Sequence, residues 1–153
     1  MNKLLFFFLL FYLHVANVYS DIIKPNTKIE PYNVVEIQLI SLKNNDKPDK
    51  DFGIEQTWEF AHPENKNKTG PLNRFKKMLK NEKYSILLNH KNHKIAEIFN
   101  NDKIAIYEVT ILGSDNFYYE FKWQVEKYNG KGLLNNCWLT TAVSNPFYLG
   151  ASI

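Results

Sequence analysis

The segment "NFYYEFKWQVEKY", residues 116–128, alternates between two sets of side chains with a period of two. This period is typical of a β-strand that is covered on one face only. The predicted core set is Phe117, Tyr119, Phe121, Trp123 and Val125, and the predicted outer set is Tyr118, Glu120, Lys122, Gln124 and Glu126. The pattern therefore favours an antiparallel sheet with one solvated face.

Further strands are predicted on both sides of this segment. Residues 84–90, 95–100 and 103–112 precede it, separated by polar turns at 91–94 and 100–102. Residues 137–145 follow it after the turn "NGKG", and residues 146–153 are predicted to be a tail. The second half of the chain thus predicts an antiparallel sheet of about five strands.

Helical periods dominate the first half of the chain. Residues 31–46, "PYNVVEIQLISLKNND", predict a helix with a broad apolar face and with Gln38 mostly outside that face. A second short helix is predicted over residues 52–61, and a third after Gly70 from the spacing of Leu72, Phe75 and Met78. Residues 62–70 are predicted to be a loop. Three helices packed on one face of an antiparallel sheet define the α+β class.

The first 20 of the 153 residues have the layout of a cleavable signal peptide. A basic start is followed by an apolar run over residues 4–13 and by a cleavage-like site that ends at Ser20. The alternative is a membrane anchor, but a spanning helix needs about 20 apolar residues. We expect a secretory route, an extended lead at 21–30, one domain at 31–145, and no membrane contact after cleavage. Asn67-Lys68-Thr69 is a predicted glycosylation site.

The charge and the single cysteine argue against two classes of function, nucleic-acid binding and thiol catalysis. The formal net charge is +3, Arg74 is the only arginine, and the lysines are scattered among acids and amides. Nucleic-acid sites favour the arginine fork, so we predict no nucleic-acid binding. Cys137 is alone and cannot form an internal disulfide. Its apolar neighbours predict burial rather than catalysis.

Neither a metal site nor a cofactor is predicted. His90 and His93 are the only near pair of histidines, and they lie in the lysine-rich run "NHKNHK". No carboxylate or thiol stands close to them in sequence, whereas a zinc site needs three or four such ligands. We therefore expect a solvated turn at these two histidines.

Several spaced motifs resemble an uncharacterised family, the domain of unknown function DUF4864. They are "LKNND" at 42–46, Gly53-Ile54, "FAHPEN" at 60–65, "TGPLNRF" at 69–75 and "CWLTTAVS" at 137–144. The likeness spans about residues 31–145 and departs at His62, where relatives carry a serine. It implies a nuclear-transport-factor-2-like, or cystatin-like, cone without an assigned activity. Plant relatives are plastid-directed, so a secondary plastid is the alternative destination to export.

Two hypotheses for function remain open at this point. The first is a non-catalytic module that binds an apolar small molecule or forms a homodimer through Tyr118, Glu120, Lys122 and Gln124. Its candidate ligand-binding residues are Trp58, Phe75, Tyr119, Phe121, Trp123 and Trp138. The alternative is a pocket enzyme of the isomerase or dehydratase type, as the cone fold implies, with Asp46 or His62 as the acid–base group.

Overall fold

The computed structural model describes residues 21–152, so the predicted signal peptide lies outside the described residues. Four α-helices precede the sheet: α1 (Pro31–Lys43), α2 (Phe52–Glu59), α3 (Pro63–Thr69) and α4 (Leu72–Leu79). Five strands follow: β1 (Asn92–Asn100), β2 (Ile104–Leu112), β3 (Phe117–Lys127), β4 (Trp138–Val143) and β5 (Phe147–Ala151). The predicted α+β class is confirmed, with four helices in place of three.

All five strands belong to one open antiparallel sheet. β1, β2 and β3 form a meander, and β3 is long enough to pair with two successive strands. Its second half pairs with β4, and its first half pairs with β5. The tail predicted at 146–153 is therefore a strand, because the backbone groups of residues 117–120 need a partner that β4 does not reach.

The predicted alternation of β3 is confirmed where the strand meets the helices. Phe121, Trp123 and Val125 are buried, and Lys122 between them is exposed. The core combines these three side chains with the inner face of β2, one face of α1, and Ile54, Phe60, Phe75, Leu79, Leu87 and Trp138 from other parts of the chain. The α1 and β2 members are Val34, Val35, Leu39, Leu42, Ala105, Tyr107, Val109 and Ile111.

α1 and α2 pack closely because Gly53 lacks a side chain. A Cβ at Gly53 would lie 2.9 Å from the Cα of Asn45 and would overlap the carbonyl of Ser41. The Asn45 side chain also accepts a hydrogen bond of 3.1 Å from the backbone N–H of Ile54. The connection between the two helices is thereby fixed by backbone contact as well as by side-chain packing.

Three sequence predictions of local structure are wrong. Residues 63–69 form α3 rather than a loop, because Pro63 suits a first helical turn and His62 Nδ1 accepts a capping bond from Glu64 N at 3.2 Å. Residues 84–90 are not a strand: Ser85–Leu87 form a 3₁₀ turn that directs Leu87 into the core. The predicted turn at 91–94 instead contributes to the start of β1.

Candidate functional site

A pocket of about 140 Å³ lies between the helices and the inner face of the sheet. Side chains from all four helices, from the 3₁₀ turn, and from β3 and β4 line it. The apolar members are Leu42, Ala61, Phe75, Met78, Leu79, Leu87, Trp123 and Val143. The cavity is therefore formed by tertiary packing, with no single segment of the chain providing most of its wall.

A buried polar cluster forms part of the same wall. Gln38 is 1% exposed, and its Oε1 accepts hydrogen bonds from Trp123 Nε1 at 3.0 Å and from Thr140 Oγ1 at 2.6 Å. Its Nε2 donates to the backbone oxygen of Thr57 at 3.0 Å. The expectation that Gln38 lies mostly outside the core face was wrong, because three buried partners satisfy its amide.

Two threonine hydroxyls of the pocket also pair within the protein. Thr57 Oγ1 donates to Gly53 O at 2.8 Å, and Thr69 Oγ1 donates to Asn65 O at 2.8 Å. Each of these hydroxyl groups has therefore used its only hydrogen within the protein and can offer a ligand only an acceptor. The surface that these residues and the apolar members present to the cavity is therefore largely carbon.

Two of the six predicted ligand-binding residues line this pocket, namely Phe75 and Trp123. Trp58 packs on Phe75 with ring centroids 5.0 Å apart, just behind the wall. Phe121 lies in the core, and Trp138 is buried with Lys127 Nζ 5.0 Å from its ring centroid. Tyr119 is remote from the pocket; its hydroxyl donates to Asp115 at 2.7 Å, which raises its pKa to about 12.

Asp46 is exposed and acts in a turn between α1 and α2. Its carboxylate accepts hydrogen bonds from the backbone N–H of Asp51 at 3.0 Å and from the Asn89 amide at 3.1 Å. The Asp51 N–H, followed by the Asn89 amide, lowers the pKa of Asp46. An acid–base catalyst near neutral pH needs a raised pKa instead. This placement gives Asp46 the environment of a structural carboxylate.

His62 is the N-cap residue of α3, and it lines a second, more polar cleft of about 800 Å³. Its backbone N–H donates to Thr140 O at 2.9 Å, and Thr140 N donates to Phe60 O at 2.8 Å. Residues 60–62 thus pair with the edge of β4. The ring of His62 packs edge-on against Tyr128, with centroids 5.3 Å apart. His62 does not line the apolar pocket.

The histidine pair differs from its prediction. His90 is 2% exposed, with Nδ1 2.7 Å from Leu87 O and Nε2 2.7 Å from His93 Nδ1. The prediction of a solvated turn is therefore wrong, because His90 is buried after the 3₁₀ turn and His93, at the start of β1, is half-buried. Within residues 21–152, no group of three or more histidine, cysteine or carboxylate side chains is placed to hold a metal ion.

Of the remaining sequence candidates, only Gln124 lines one of the two cavities. Cys137 is buried as predicted, and burial raises the pKa of its thiol. Asn67 is exposed on α3. Of the predicted dimer surface, Tyr118 and Lys122 are exposed, Glu120 is half-buried, and Gln124 lines the polar cleft. None of the helices described here, the longest being α1 with 13 residues, has the length and apolarity to cross a membrane.

Comparisons of the chain with protein-family models, with curated proteins and with solved structures find no match. The resemblance to DUF4864 and to the nuclear-transport-factor-2-like cone therefore stays a prediction. The class that the fold defines is an open α+β sheet covered by helices on one face. Fold alone does not define a function, so the proposals below rest on the apolar pocket and the polar cleft.

Proposed function

We propose that the protein is a non-catalytic binding module that holds a small apolar molecule in the pocket between its helices and sheet. The observation that carries this proposal is the pocket of about 140 Å³, which has a mostly apolar lining and a buried Gln38 amide that is paired within the protein. No aspartate, glutamate, histidine or lysine stands among the lining residues described. The isomerase or dehydratase alternative has less support, since Asp46 and His62 lie elsewhere.

The size of the cavity limits the ligand. An apolar protein cavity of about 150 Å³ can hold one benzene molecule. The ligand class is therefore a single six-membered ring, or a short branched hydrocarbon group at the end of a larger molecule. Burying six carbon groups contributes about 5 kcal/mol at about 0.8 kcal/mol each. This free energy corresponds to a Kd of about 0.3 mM for an isolated ring.

Calorimetric titration with benzene and indole tests the proposal on the full chain purified from a eukaryotic secretory host. Val143→Phe should fill the pocket, because Val143 lies on its wall at the end of β4. Leu133→Phe is the matched control, since Leu133 is 98% exposed and outside the pocket. We expect Val143→Phe to abolish binding and Leu133→Phe to preserve it.

Two outcomes would contradict this function. One is that neither probe binds the unmodified chain at about 5 mM, well above the Kd that the cavity size predicts. The other is that a correctly folded Val143→Phe variant binds as well as the unmodified chain. Secretion, homodimer formation through the outer sheet face and membership of DUF4864 are separate proposals, and neither outcome depends on them.

A further inference from the structure

The polar cleft of about 800 Å³ is a second concave site, whose floor lies on the opposite face of the sheet from the apolar pocket, and Asn65 of α3 lines both cavities. Ile104, Gln124 and Thr141 form its floor, where β2, β3 and β4 lie side by side. Its walls are the turn at 101–103, the loop at 127–136 and α3. The volume lies within the range of small-molecule sites, which is about 300–1,000 Å³.

The charges that line this cleft are balanced. Three lysines and three carboxylates contribute to it, so the formal charge of the lining is zero: Lys68, Lys103, Lys127, Glu64, Asp102 and Glu126. A site for phosphate or for a metal cation would show an excess of one sign. Four neutral amides are interspersed among the charged groups: Asn65, Gln124, Asn129 and Asn136. This composition favours an uncharged ligand with many hydrogen-bonding groups.

Glu126 is held in one orientation on the cleft floor. Its Oε1 accepts hydrogen bonds from Gln124 Nε2 at 2.7 Å and from Thr141 Oγ1 at 3.1 Å. Within the described residues Oε2 has no protein donor and can accept from a ligand. A carboxylate oxygen beside amide groups matches a pair of neighbouring hydroxyls, because each hydroxyl both donates and accepts.

Tyr128 provides an apolar surface at the rim. Its backbone N–H donates to Cys137 O at 2.8 Å, and its carbonyl accepts from Asn136 N at 2.7 Å, so the loop is anchored on both sides. The ring lies over Gly130, where an added Cβ would overlap the phenol. His62 packs edge-on against the same ring. A fixed aromatic ring beside polar groups can cover the C–H face of a ligand while its edges form hydrogen bonds.

We propose that this cleft binds an uncharged, hydroxyl-rich ligand of the carbohydrate class. Glu126 and the neighbouring amides bind vicinal hydroxyls, and the Tyr128 ring packs against the C–H face of a sugar. His62 adds a donor: its Nδ1 accepts from Glu64 N, which leaves the hydrogen of the neutral ring on Nε2. The inference is independent of the apolar pocket and of its ligand.

Calorimetric titration of the full chain with three trisaccharides tests this inference, after enzymatic removal of any N-glycan. The probes are the β-linked trimer of N-acetylglucosamine, the α-linked trimer of glucose and the α-linked trimer of mannose. Inorganic phosphate is titrated in parallel. We expect at least one trisaccharide to bind with a Kd of about 1 mM or tighter, and phosphate not to bind.

Two matched pairs of variants localise the binding. Glu126→Gln should weaken it roughly tenfold, since a hydrogen bond to a charged group is lost. Glu120→Gln, on the same strand but outside the cleft, should leave it unchanged. Tyr128→Leu should weaken binding as well, whereas Tyr118→Leu should not. The Tyr128 pair keeps the test decisive if the Glu126 variant does not fold.

Three results would overturn the assignment. The first is that none of the three trisaccharides binds at about 10 mM. The second is that phosphate binds at this cleft in their place. The third is that the control variants Glu120→Gln and Tyr118→Leu weaken binding as much as the cleft variants do. Loss of benzene binding by Val143→Phe would not bear on this site, so the two proposals fail separately.

Discussion

Acidification from about pH 7.5 to about pH 5 should destabilise the folded chain through His90. Both ring nitrogens of the buried His90 already have a hydrogen-bond partner within the protein. Nδ1 must carry a hydrogen because Leu87 O can only accept, and Nε2 must accept because His93 Nδ1 lies 2.7 Å away. A proton on Nε2 would place a charge in the core and would force the hydrogen of His93 from Nδ1 to Nε2.

The magnitude follows from the two ionisation states. Burial lowers the pKa of His90 from 6.5 to about 4, and the charges of His93 and Lys43 act in the same direction, whereas the bond to Leu87 opposes them. Burial and Lys43 also lower the pKa of His93, and Glu36 opposes that change. Between pH 6.5 and pH 4 the unfolded chain binds more protons than the folded chain. The free energy of unfolding therefore decreases as the pH is lowered through this range. The loss from His90 is about 2 kcal/mol at pH 5 and about 3 kcal/mol at pH 4.

Urea denaturation at about pH 7.5 and pH 5 measures this loss in the unmodified chain and in two variants. In His90→Asn the amide occupies the position of Nδ1 and can still donate to Leu87 O, but it does not titrate. This variant should lose most of the pH dependence, while His62→Asn, at a half-buried position, should retain it. An equal fall in stability for His90→Asn and for the unmodified chain would refute the reasoning.

Three further predictions concern the buried amide, the glycines and processing. Gln38→Ala should cost about 3 kcal/mol in urea denaturation, because it leaves buried groups unpaired; a loss below about 0.5 kcal/mol would contradict the hydrogen-bond assignment. Gly53→Ala should lower Tm far more than Gly132→Ala, since a Cβ at position 53 would overlap backbone atoms of Ser41 and Asn45. A Cβ at position 132 would contact nothing, and only the φ of 93° at that residue would be strained. Equal changes in Tm would argue against the close helix contact. Expression in a eukaryotic secretory host should give a chain that begins at Asp21 and carries a glycosidase-sensitive mass that Asn67→Gln abolishes; an intact Met1 would contradict the signal peptide.

The parts of the fold that the sequence predicted correctly are those with long, regular hydrophobic periods. β3 alternates over 11 residues and α1 repeats over 13, so each pattern identifies both the element and most of its buried face. The wrong predictions fall on short segments. α3 has no buried residue and hence no hydrophobic period to detect. Residues 84–90 contain three successive apolar residues, which fit a buried strand and a turn equally well.

The candidate site was only partly predictable, because its residues come from all parts of the chain. Phe75 and Trp123 were recognisable as large aromatic residues on a predicted core face. Gln38 was not, since its helical position suggested solvent and its partners Trp123 and Thr140 lie 85 and 102 residues away. The polar cleft likewise combines a helix, two loops and three strands, so no local motif marks it.

By itself, the sequence determined the α+β class, the order of helices before strands, the inner face of β3 and the burial of Cys137. These features depend on periods and neighbours within a few residues, where backbone geometry fixes which side chains share a face. Only the tertiary structure decided which polar residues are buried, that His90 and His93 form a pair, and that two cavities lie on opposite sides of the sheet. Their energies depend on contacts between distant segments, and such contacts exist only after the chain has packed.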